Sequence, residues 1–331
     1  MENYVIIDVD CGVDDAWSIL MLIRAEMEFK KFKILAITCV NGNTDVDNAV
    51  QNTLRLLETV GRSDIPVYRG CGQSILAPSM ERENYYGCDG FGDLEYENPV
   101  DTTPLQKDHA VNALHEFTSK YPNQVSLIFI GPLTNYAICS TMYPDFNKNV
   151  KDIYAMGGNW RGRGNVTKSG EFNFYTDPEA AAAAFENNVK PITLLPFEPC
   201  VEGDFDCMSM EWRKTVFADT TDPAIRLLNR VEEKAVYHRP TKNWIECDIF
   251  LIALFLFPQS IITKSEIHSV SVETSGKHTR GQMVVDYRRE TRENVNIIQE
   301  VNTHGIKQLV VWTAKQLSTE ELLKDLKPNQ L

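Results

Sequence analysis

The sequence has no apolar run of the roughly 18–20 residues that a helix needs to span a bilayer. The run at 249–257 is too short, and the run at 17–23 is followed by the charged residues Arg24 and Glu26. The N-terminal segment MENYVIIDVD carries acids where a secretory signal has a basic start and an apolar stretch. We therefore expect a cytoplasmic protein with no membrane partner.

Positive charge is also scarce. The chain has 33 Lys and Arg residues against 46 Asp and Glu residues, which gives a formal net charge of −13 and a pI of about 5.0. Nucleic acids and anionic membranes need a positively charged face on their protein partner. The balance therefore argues against nucleic acid as a partner and leaves room for a cation site.

The eight cysteines form no CxxC and no paired Cys/His spacing of the kind that binds zinc. We expect them to be reduced thiols. The sequence also lacks internal repeats, low-complexity tracts and linkers, and its 331 residues are enough to bury a large core. Hydrophobic residues make up 43% and charged residues 24%, as in ordinary globular domains. These features predict a single domain over residues 1–331.

Strand-like apolar runs alternate with helix-like segments from residue 4 to about residue 190, which is typical of a parallel α/β sheet. The region 208–257 is predicted to be helical, and the runs SVSVETSG and GQMVVDYRRE after it alternate like paired strands. A last helix is predicted over 306–317, before a solvated tail rich in acids and lysine. The fold class is therefore α/β, a Rossmann-like open, mostly parallel sheet with flanking helices and a small late antiparallel appendage. Ligands bind such sheets at the carboxyl ends of the strands.

Four carboxylates lie within the octapeptide DVDCGVDD, residues 8–15, where a predicted strand leads into a helix. The helix N-terminus offsets their repulsion by only about 0.3–1 kcal/mol for each well-placed charge. A hard divalent cation that binds these carboxylate oxygens would offset the remaining repulsion. A solvated acidic turn is the alternative. The D-x-D-x-[TV] nucleophile loop of haloacid-dehalogenase-like phosphatases fails because Gly12 stands where Thr or Val is needed.

Together with other segments, this octapeptide resembles the signature of the inosine-uridine nucleoside hydrolase family, which reads approximately DTDPGxDD. The likeness extends from about residue 4 to residue 258. Further motifs follow in the family's order: VNGN at 40–43, PVYRGC at 66–71, GPLTN at 131–135, and the block from MGGN to DPEAA at 156–181.

The resemblance implies a Ca²⁺-dependent hydrolase that converts a ribonucleoside and water into ribose and a free base. Asp10, Asp15, Asp248 and the main-chain carbonyl of Thr134 would hold one Ca²⁺, which accepts 6–8 oxygen ligands in flexible geometry. Asp10 would also take a proton from a metal-bound water, which attacks C1′ of the ribose. The family's known assemblies imply a homodimer or homotetramer.

The resemblance also assigns the ribose contacts. Asp14 and Asn173 would bind the 3′ side, Asn165 and Glu171 the 5′ hydroxyl, and Asn43 would lie near the water and the ribose. Asp248 would contact the ribose as well as the metal. Deoxyribosides should be poor substrates, because a missing hydroxyl leaves buried polar groups unpaired. Taken one at a time, Asp14, Asn165, Glu171 and Asn173 could equally be ordinary caps or loop polar residues.

Two positions depart from the family pattern. Cys247 stands where the family has a His before the last calcium ligand, and Tyr86 stands where its substrate loop has another His. Histidine suits proton donation to the leaving base because its pKa is about 6.5, whereas Cys and Tyr have values of about 8.5 and 10. Cys11 replaces the usual Pro, and it could simply be a small buried hydrophobic residue.

Several routes could assist the leaving base without these histidines. His238 could enter the pocket, or it could be a surface or packing residue. Tyr86, Tyr237 or Trp244 could stack on the base, or they could belong to the core or to a lid. Cys247 could donate weakly, or the substrates could have bases that leave readily.

Two functions therefore remain open. The first is a nucleoside hydrolase, favoured by Asp10, because a binding protein needs no water-activating base. The second is a ribonucleoside-binding or sensing homologue that keeps the Ca²⁺ and ribose site, favoured by the loss of the His at position 247. A phosphatase lacks the required motif. The sequence leaves the preferred base undecided.

Overall fold

The structure, a computed structural model of the chain, describes residues 3–76, 84–203 and 206–328. These residues form a nine-stranded sheet with the strand order β3-β2-β1-β4-β5-β6-β9-β7-β8. The strands are β1 (Tyr4–Val9), β2 (Lys33–Cys39), β3 (Val67–Arg69), β4 (Val125–Phe129), β5 (Asp152–Met156), β6 (Ile192–Leu195), β7 (Ile262–Val272), β8 (Met283–Asp286) and β9 (Val295–Val301).

Helices connect the strands and cover both faces of the sheet. They are α1 (Val13–Phe29), α2 (Val46–Val60), α3 (Ala110–Lys120), α4 (Thr134–Met142), α5 (Phe146–Asn149), α6 (Phe172–Thr176), α7 (Pro178–Asn187), α8 (Glu198–Val201), α9 (Met210–Val216), α10 (Pro223–Ala235), α11 (Cys247–Leu256), α12 (Pro258–Ile261), α13 (Thr303–Thr313) and α14 (Thr319–Asp325), with a short 3₁₀ helix at Asp206–Met208.

Strands β1 to β6 pair only in parallel with one another, and β9 continues the sheet in parallel with β6. Strand β7 then pairs antiparallel with both β9 and β8. The predicted α/β sheet with a late antiparallel appendage is thus confirmed. All nine strands belong to one sheet, which supports the prediction of a single domain over 1–331. That prediction is otherwise untested.

The central strands are mostly apolar because both of their faces are covered. Every residue of β1 and β4 is buried. One core lies between the sheet and helices α1, α2, α10, α11 and α13. The other lies between the sheet and helices α3, α4, α5 and α7. Within the described ranges, no helix is long and apolar enough to cross a membrane.

Two sequence expectations need correction. The region 208–257 is not continuously helical, because α10 begins afresh at Pro223 with Asp222 as its N-cap, and residues 236–246 form a non-helical connection. The tail is not simply solvated either. It forms α14, which begins with a capping box between Ser318 and Glu321 and buries Leu322 completely.

Candidate active site

A pocket of about 320 Å³ opens at the carboxyl ends of the parallel strands. Its size lies within the roughly 300–1,000 Å³ that small-molecule sites occupy. Strand β4 contributes Ile130, which directly follows it, and β5 contributes Met156, its last residue. The position agrees with the rule that open parallel sheets bind ligands at this edge.

The acidic octapeptide forms the link between β1 and α1, and its four carboxylates do not all face the same way. Asp8 accepts hydrogen bonds from Thr38 Oγ1 at 2.5 Å and Asn135 Nδ2 at 2.7 Å and does not line the pocket. Asp14 does line it. Asp8 therefore ties neighbouring strand ends together. Asp10 and Asp15 also lie outside the pocket lining, and Asp14 and Asp248 are the carboxylates of the cluster that line it.

Asp10 and Asp15 are fully buried and fixed by backbone N–H groups. The N–H of Asn43 donates to Asp10 Oδ2 at 2.6 Å, and the N–H of Gly12 donates to Asp15 Oδ2 at 2.8 Å. Gly42 is needed here because a Cβ at that position would overlap Asp10 Oδ2. Asp10 Oδ1 is buried and has no hydrogen-bond partner among the described residues.

Asp248 joins this cluster from the first turn of α11, which packs against α1. Carboxylate oxygens of Asp14, Asp15 and Asp248 lie within 4.8 Å of one another, a spacing that a metal ion could bridge. Asp10 is not one of this trio, although Asn43 connects it to Asp15 through an Nδ2 to Oδ2 contact of 3.4 Å.

The electrostatics of the cluster favour a cation. Burial, followed by the nearby charge of Asp14, raises the pKa of Asp10 from 3.8 to about 7. Burial also raises the pKa of Asp15 and of Asp248 well above 3.8, and neighbouring carboxylates add to both shifts. Such groups ionise readily only when a positive charge offsets their desolvation. A hard divalent cation with oxygen ligands fits this donor set.

Thr134, like Asp10 and Asp15, is not among the residues that line the pocket. Thr134 is the first residue of α4, and its Oγ1 donates to Asp177 Oδ2 at 2.7 Å. Main-chain carbonyls in a first helical turn point along the helix toward its own N–H groups. The neighbouring Ile130 lines the pocket instead, and its carbonyl accepts a hydrogen bond from Asn173 Nδ2 at 3.0 Å. The main-chain carbonyl of Thr134 therefore stays a prediction as a ligand of the ion.

The predicted ribose residues Asp14, Asn43, Asn165, Glu171 and Asn173 all line the pocket. The Nδ2 of Asn173 is held by main-chain carbonyls, which leaves its Oδ1 available to a ligand. Glu171 caps α6 and accepts backbone hydrogen bonds from Gly158 at 2.7 Å and Asn173 at 3.1 Å. Burial raises its pKa from 4.5 to about 7. Asn165 Oδ1 accepts from the N–H of Phe172 at 2.9 Å.

A family model described as inosine-uridine preferring nucleoside hydrolase matches residues 5–308. The chain belongs to this family. The similarity confirms the resemblance seen in the motifs and the prediction that the protein is a nucleoside hydrolase.

Relatives and solved structures of similar proteins agree with this assignment. A pyrimidine-specific ribonucleoside hydrolase, RihA, of Photobacterium profundum is 30% identical over 320 residues, which cover 94% of this chain and 98% of that protein. A probable uridine nucleosidase 1 of rice (Oryza sativa subsp. japonica) is 36% identical over 185 residues, 56% of this chain and 55% of that protein.

The fold is shared with an inosine-guanosine nucleoside hydrolase, with a TM-score of 0.85 and 23% identity over 96% of this chain and all of the other. It is also shared with a purine-preferring ribonucleoside hydrolase from Gardnerella vaginalis, with a TM-score of 0.80 and 21% identity over 94% of this chain and 98% of the other.

In this nucleoside hydrolase, three residues that the sequence offered for the leaving base do not line the pocket. Trp244 is fully buried and packs edge-on against Trp17, with ring centroids 5.6 Å apart. Tyr237 lies beside Lys214, whose Nζ is 5.0 Å from the Tyr237 ring centroid. His238 is exposed. The structure thus gives Trp244 a core role and places His238 at the surface.

The two positions that depart from the family pattern do line the pocket. The Tyr86 hydroxyl donates to Glu246 Oε2 at 3.0 Å and lies within hydrogen-bond reach of Asp14. The Cys247 thiol contacts the Cys200 thiol, and this contact, with burial, raises the pKa of Cys247 well above 9. Cys11 is fully buried, as a small hydrophobic residue would be.

Sequence reasoning missed two charged residues of this hydrolase's pocket, Glu246 and Arg239. Both are adjacent to candidates that it did single out, Cys247 and His238. Their charge and their position next to these candidates could have marked them as pocket residues. Only the backbone path of the connection between α10 and α11 shows that these two side chains face the ligand.

Proposed function

We propose that the protein hydrolyses the N-glycosidic bond of ribonucleosides to ribose and a free base, with Ca²⁺ at the acidic cluster and Asp10 as the base that activates water. The observation that carries this proposal is the convergence of buried carboxylates and ribose-binding amides on one pocket of suitable size. The family membership supplies the reaction class.

Asp10, Asp15 and Asp248 would hold the ion, with the main-chain carbonyl of Thr134 as a further oxygen donor and Asp14 beside them. The unpartnered Oδ1 of Asp10 supports a ligand role because a buried carboxylate oxygen is costly without a partner. When bound, Ca²⁺ would lower the pKa of a coordinated water and orient it toward the ribose.

Asp10 is suited to take the proton from that water. The N–H of Asn43 fixes its Oδ2 at 2.6 Å, so that Oδ1 keeps a defined direction. Gly42 and Gly131 allow the backbone to approach this carboxylate closely and so restrict its movement.

Asp14 and Asn173 would bind the 3′ side of the ribose, and Asn165 and Glu171 would hold its 5′ hydroxyl. Cleavage of the glycosidic bond develops positive charge on the sugar ring. The carboxylates near C1′ would stabilise this charge more strongly in the transition state than in the substrate. Apolar residues of the pocket would exclude bulk water from the reacting bond.

A ribonucleoside-binding protein without turnover is the second candidate. It is favoured by the absence of histidine among the described residues that line the pocket. Cys247 occupies the family's His position with a pKa raised well above 9, which makes it a poor acid. Such a protein would keep the metal and ribose contacts but would release no sugar.

Ribose release from a panel of purine and pyrimidine ribonucleosides tests this proposal. We expect release with added calcium, loss of release after chelation with EGTA, and recovery when calcium is restored. The matched 2′-deoxyribosides should react much more slowly. Binding of ribonucleosides without release from any of them would favour the second candidate.

The remaining expectations concern the assembly and the compartment. We infer a homodimer or homotetramer from the family resemblance, and we also propose a cytoplasmic location. Both stay predictions. Sedimentation of the purified protein would test the first, and imaging of the tagged chain in its own cells would test the second.

A further inference from the structure

Two cysteine thiols meet at the edge of the pocket, although they belong to residues that are far apart in the chain. Cys247, the first residue of α11, lines the pocket and is partly exposed. Cys200 belongs to α8 and is fully buried. The Cys200 thiol lies within hydrogen-bond reach of the Cys247 thiol. The pair therefore has one thiol that a small solute in the pocket can reach and one that it cannot.

The position of α8 in the pocket wall explains this contact. Phe197, the N-cap of α8, and Val201, its last residue, both line the pocket. Cys200 lies between them in the sequence, and its thiol also donates to the carbonyl oxygen of Pro196 at 3.8 Å. The wall thus holds this short helix at both ends, which gives the Cys200 thiol a fixed place behind Cys247.

The other cysteines have different surroundings. Three of them are fully buried and out of reach of solutes: Cys11, Cys39 and Cys139. Cys88 is exposed, and its thiol contacts Asn84 Nδ2 at 3.8 Å. Cys247 and Cys200 instead combine an accessible thiol with a second thiol that can resolve an oxidised first one, as redox-responsive pairs do.

We propose that Cys247 and Cys200 form a reversible disulfide when the protein meets a peroxide, and that this disulfide inactivates the site. The Cys247 sulfur attacks one oxygen of hydrogen peroxide, the O–O bond breaks, and a sulfenic acid and one water form. The Cys200 sulfur then attacks the Cys247 sulfur, the S–S bond forms, the S–O bond breaks, and a second water leaves with the thiol proton. The two thiols lose two electrons, which reduce the peroxide. A dithiol reductant reverses the oxidation by thiol–disulfide exchange.

The disulfide would change the pocket because it draws the sulfur of Cys247 into the wall. An S–S bond is about 2.05 Å long, shorter than any contact between two thiols, so its formation pulls α8 and the first turn of α11 together. Asp248, the next residue and a proposed ligand of the ion, lies in that turn. This consequence rests on the proposed function. A shift of about 1 Å in a site can lower the rate by about 10²-fold, so we expect hydrolysis to fall by about 10–100-fold.

The reaction should be slow under mild conditions. The contact with Cys200, together with burial, raises the pKa of Cys247 well above 9, and the thiolate is the form that reacts. We therefore expect the pair to respond to sustained peroxide, over minutes to hours. The exposed Cys88 should be oxidised earlier, so its oxidation is an internal measure of the peroxide dose.

Peptide mapping by mass spectrometry tests the pair. The full chain is treated with hydrogen peroxide for several hours beyond the complete oxidation of Cys88, and the remaining thiols are then alkylated in urea. We expect a disulfide between Cys200 and Cys247. In Cys200→Ala, which lacks the resolving thiol, Cys247 should instead remain a sulfenic acid that dimedone traps.

Cys88→Ser, at an exposed position, is the matched control and should form the same disulfide at the same peroxide dose. The wild-type protein decides the question even if Cys200→Ala does not fold. A wild-type Cys200 found in any form other than a disulfide with Cys247 would overturn the proposal.

Ribose release separates the inactivation from the proposed function. Calcium-loaded wild-type protein and Cys88→Ser are assayed before oxidation, after it, and after dithiothreitol. Release should fall by about 10–100-fold and then recover fully. Unchanged release from the disulfide form would overturn the inactivation and leave the hydrolase standing. No release from the reduced protein would refute the hydrolase instead, and loss of uridine binding on oxidation, measured by calorimetry, would then still support the inactivation.

Discussion

At the residue scale, the pocket depends on carboxyl groups that are buried but not paired with cationic side chains. Asp10, Asp15 and Asp248 have raised pKa values because burial disfavours their charged forms. No Lys or Arg forms an ion pair with them among the described residues. Side chains of this kind cost folding free energy, so their retention in one cluster indicates a binding or catalytic use.

Asp10→Asn tests the residue assigned to water activation. The amide keeps the size of the side chain and can still accept the hydrogen bond from the Asn43 N–H, so the fold should be retained. It cannot accept a proton, and we expect kcat for ribonucleoside hydrolysis to fall by about 10²–10⁴-fold. Initial rates of ribose release measure this loss.

Asp219→Asn, at an exposed position, is the matched control for the Asp10 variant and should retain the wild-type rate. Circular dichroism of both variants checks that they fold. A wild-type rate in Asp10→Asn would refute the role of this carboxylate as the base.

At the scale of elements, the antiparallel appendage supports the loop that carries Asn165, one of the residues proposed to bind the ribose. The turn between β7 and β8 packs against the segment 163–171, where Ser169 Oγ donates to the carbonyl of His278 at 2.6 Å. Arg280 of the same turn forms a two-contact ion pair with Glu179 of α7, at 2.7 and 2.9 Å. A late part of the chain therefore restricts the loop that carries Asn165.

Ser169→Ala tests this support. The variant loses one hydrogen bond between the turn and the loop, which contributes about 0.5–1.5 kcal/mol. The loop is then less restrained in the free protein, and part of the binding free energy of the substrate is used to order it. We expect KM for a ribonucleoside to rise by about two- to tenfold, with a smaller change in kcat. Steady-state kinetics separate the two constants.

Ser275→Ala, in the same turn but exposed, is the comparison for Ser169→Ala and should leave KM unchanged. An unchanged KM in Ser169→Ala would mean that the loop keeps its position without the turn.

At the scale of the whole molecule, the cluster joins distant parts of the chain. Asp15 lies in the first turn of α1 and Asp248 in the first turn of α11, and these two helices pack along each other in the larger core. Repulsion between their carboxylates opposes this packing. A cation between them would convert the repulsion into attraction and would stabilise the folded protein by mass action.

Calcium should therefore raise the melting temperature of the protein, and EGTA should lower it. At a calcium concentration of 100 times Kd, the expected gain is about 2.7 kcal/mol. Thermal unfolding followed by circular dichroism measures the effect. Magnesium at the same concentration serves as a control for general ionic effects, since it demands a stricter octahedral geometry.

Asp248→Asn provides the matching variant. It should lose most of the calcium effect, and without calcium it should unfold at a higher temperature than the wild-type protein, because one repelling charge is gone. The same melting temperature for the wild-type protein with calcium and with EGTA would contradict a calcium site at this cluster.

Local patterns in the sequence were sufficient for the fold and for much of the ribose site. Apolar runs that alternate with helix-like segments predicted the parallel sheet. Strands that are buried on both faces have continuous apolar sequences, so they can be recognised from hydrophobicity alone. The octapeptide at 8–15 and the block at 156–181 predicted Asp14, Asn165, Glu171 and Asn173, which all line the pocket. In each case, the residues lie next to a strand end or a helix start that the sequence itself marks.

Tertiary structure alone decided the rest, because it depends on contacts between residues far apart in the chain. Trp244 and His238 lie close to the pocket in sequence, yet one packs on Trp17 and the other faces outward. Asp248 meets Asp14 and Asp15 only because α11 packs against α1, far from it along the chain. The sequence by itself thus determined the family, the sheet and the acidic motif. Only packing decided which side chains near the motifs reach the base.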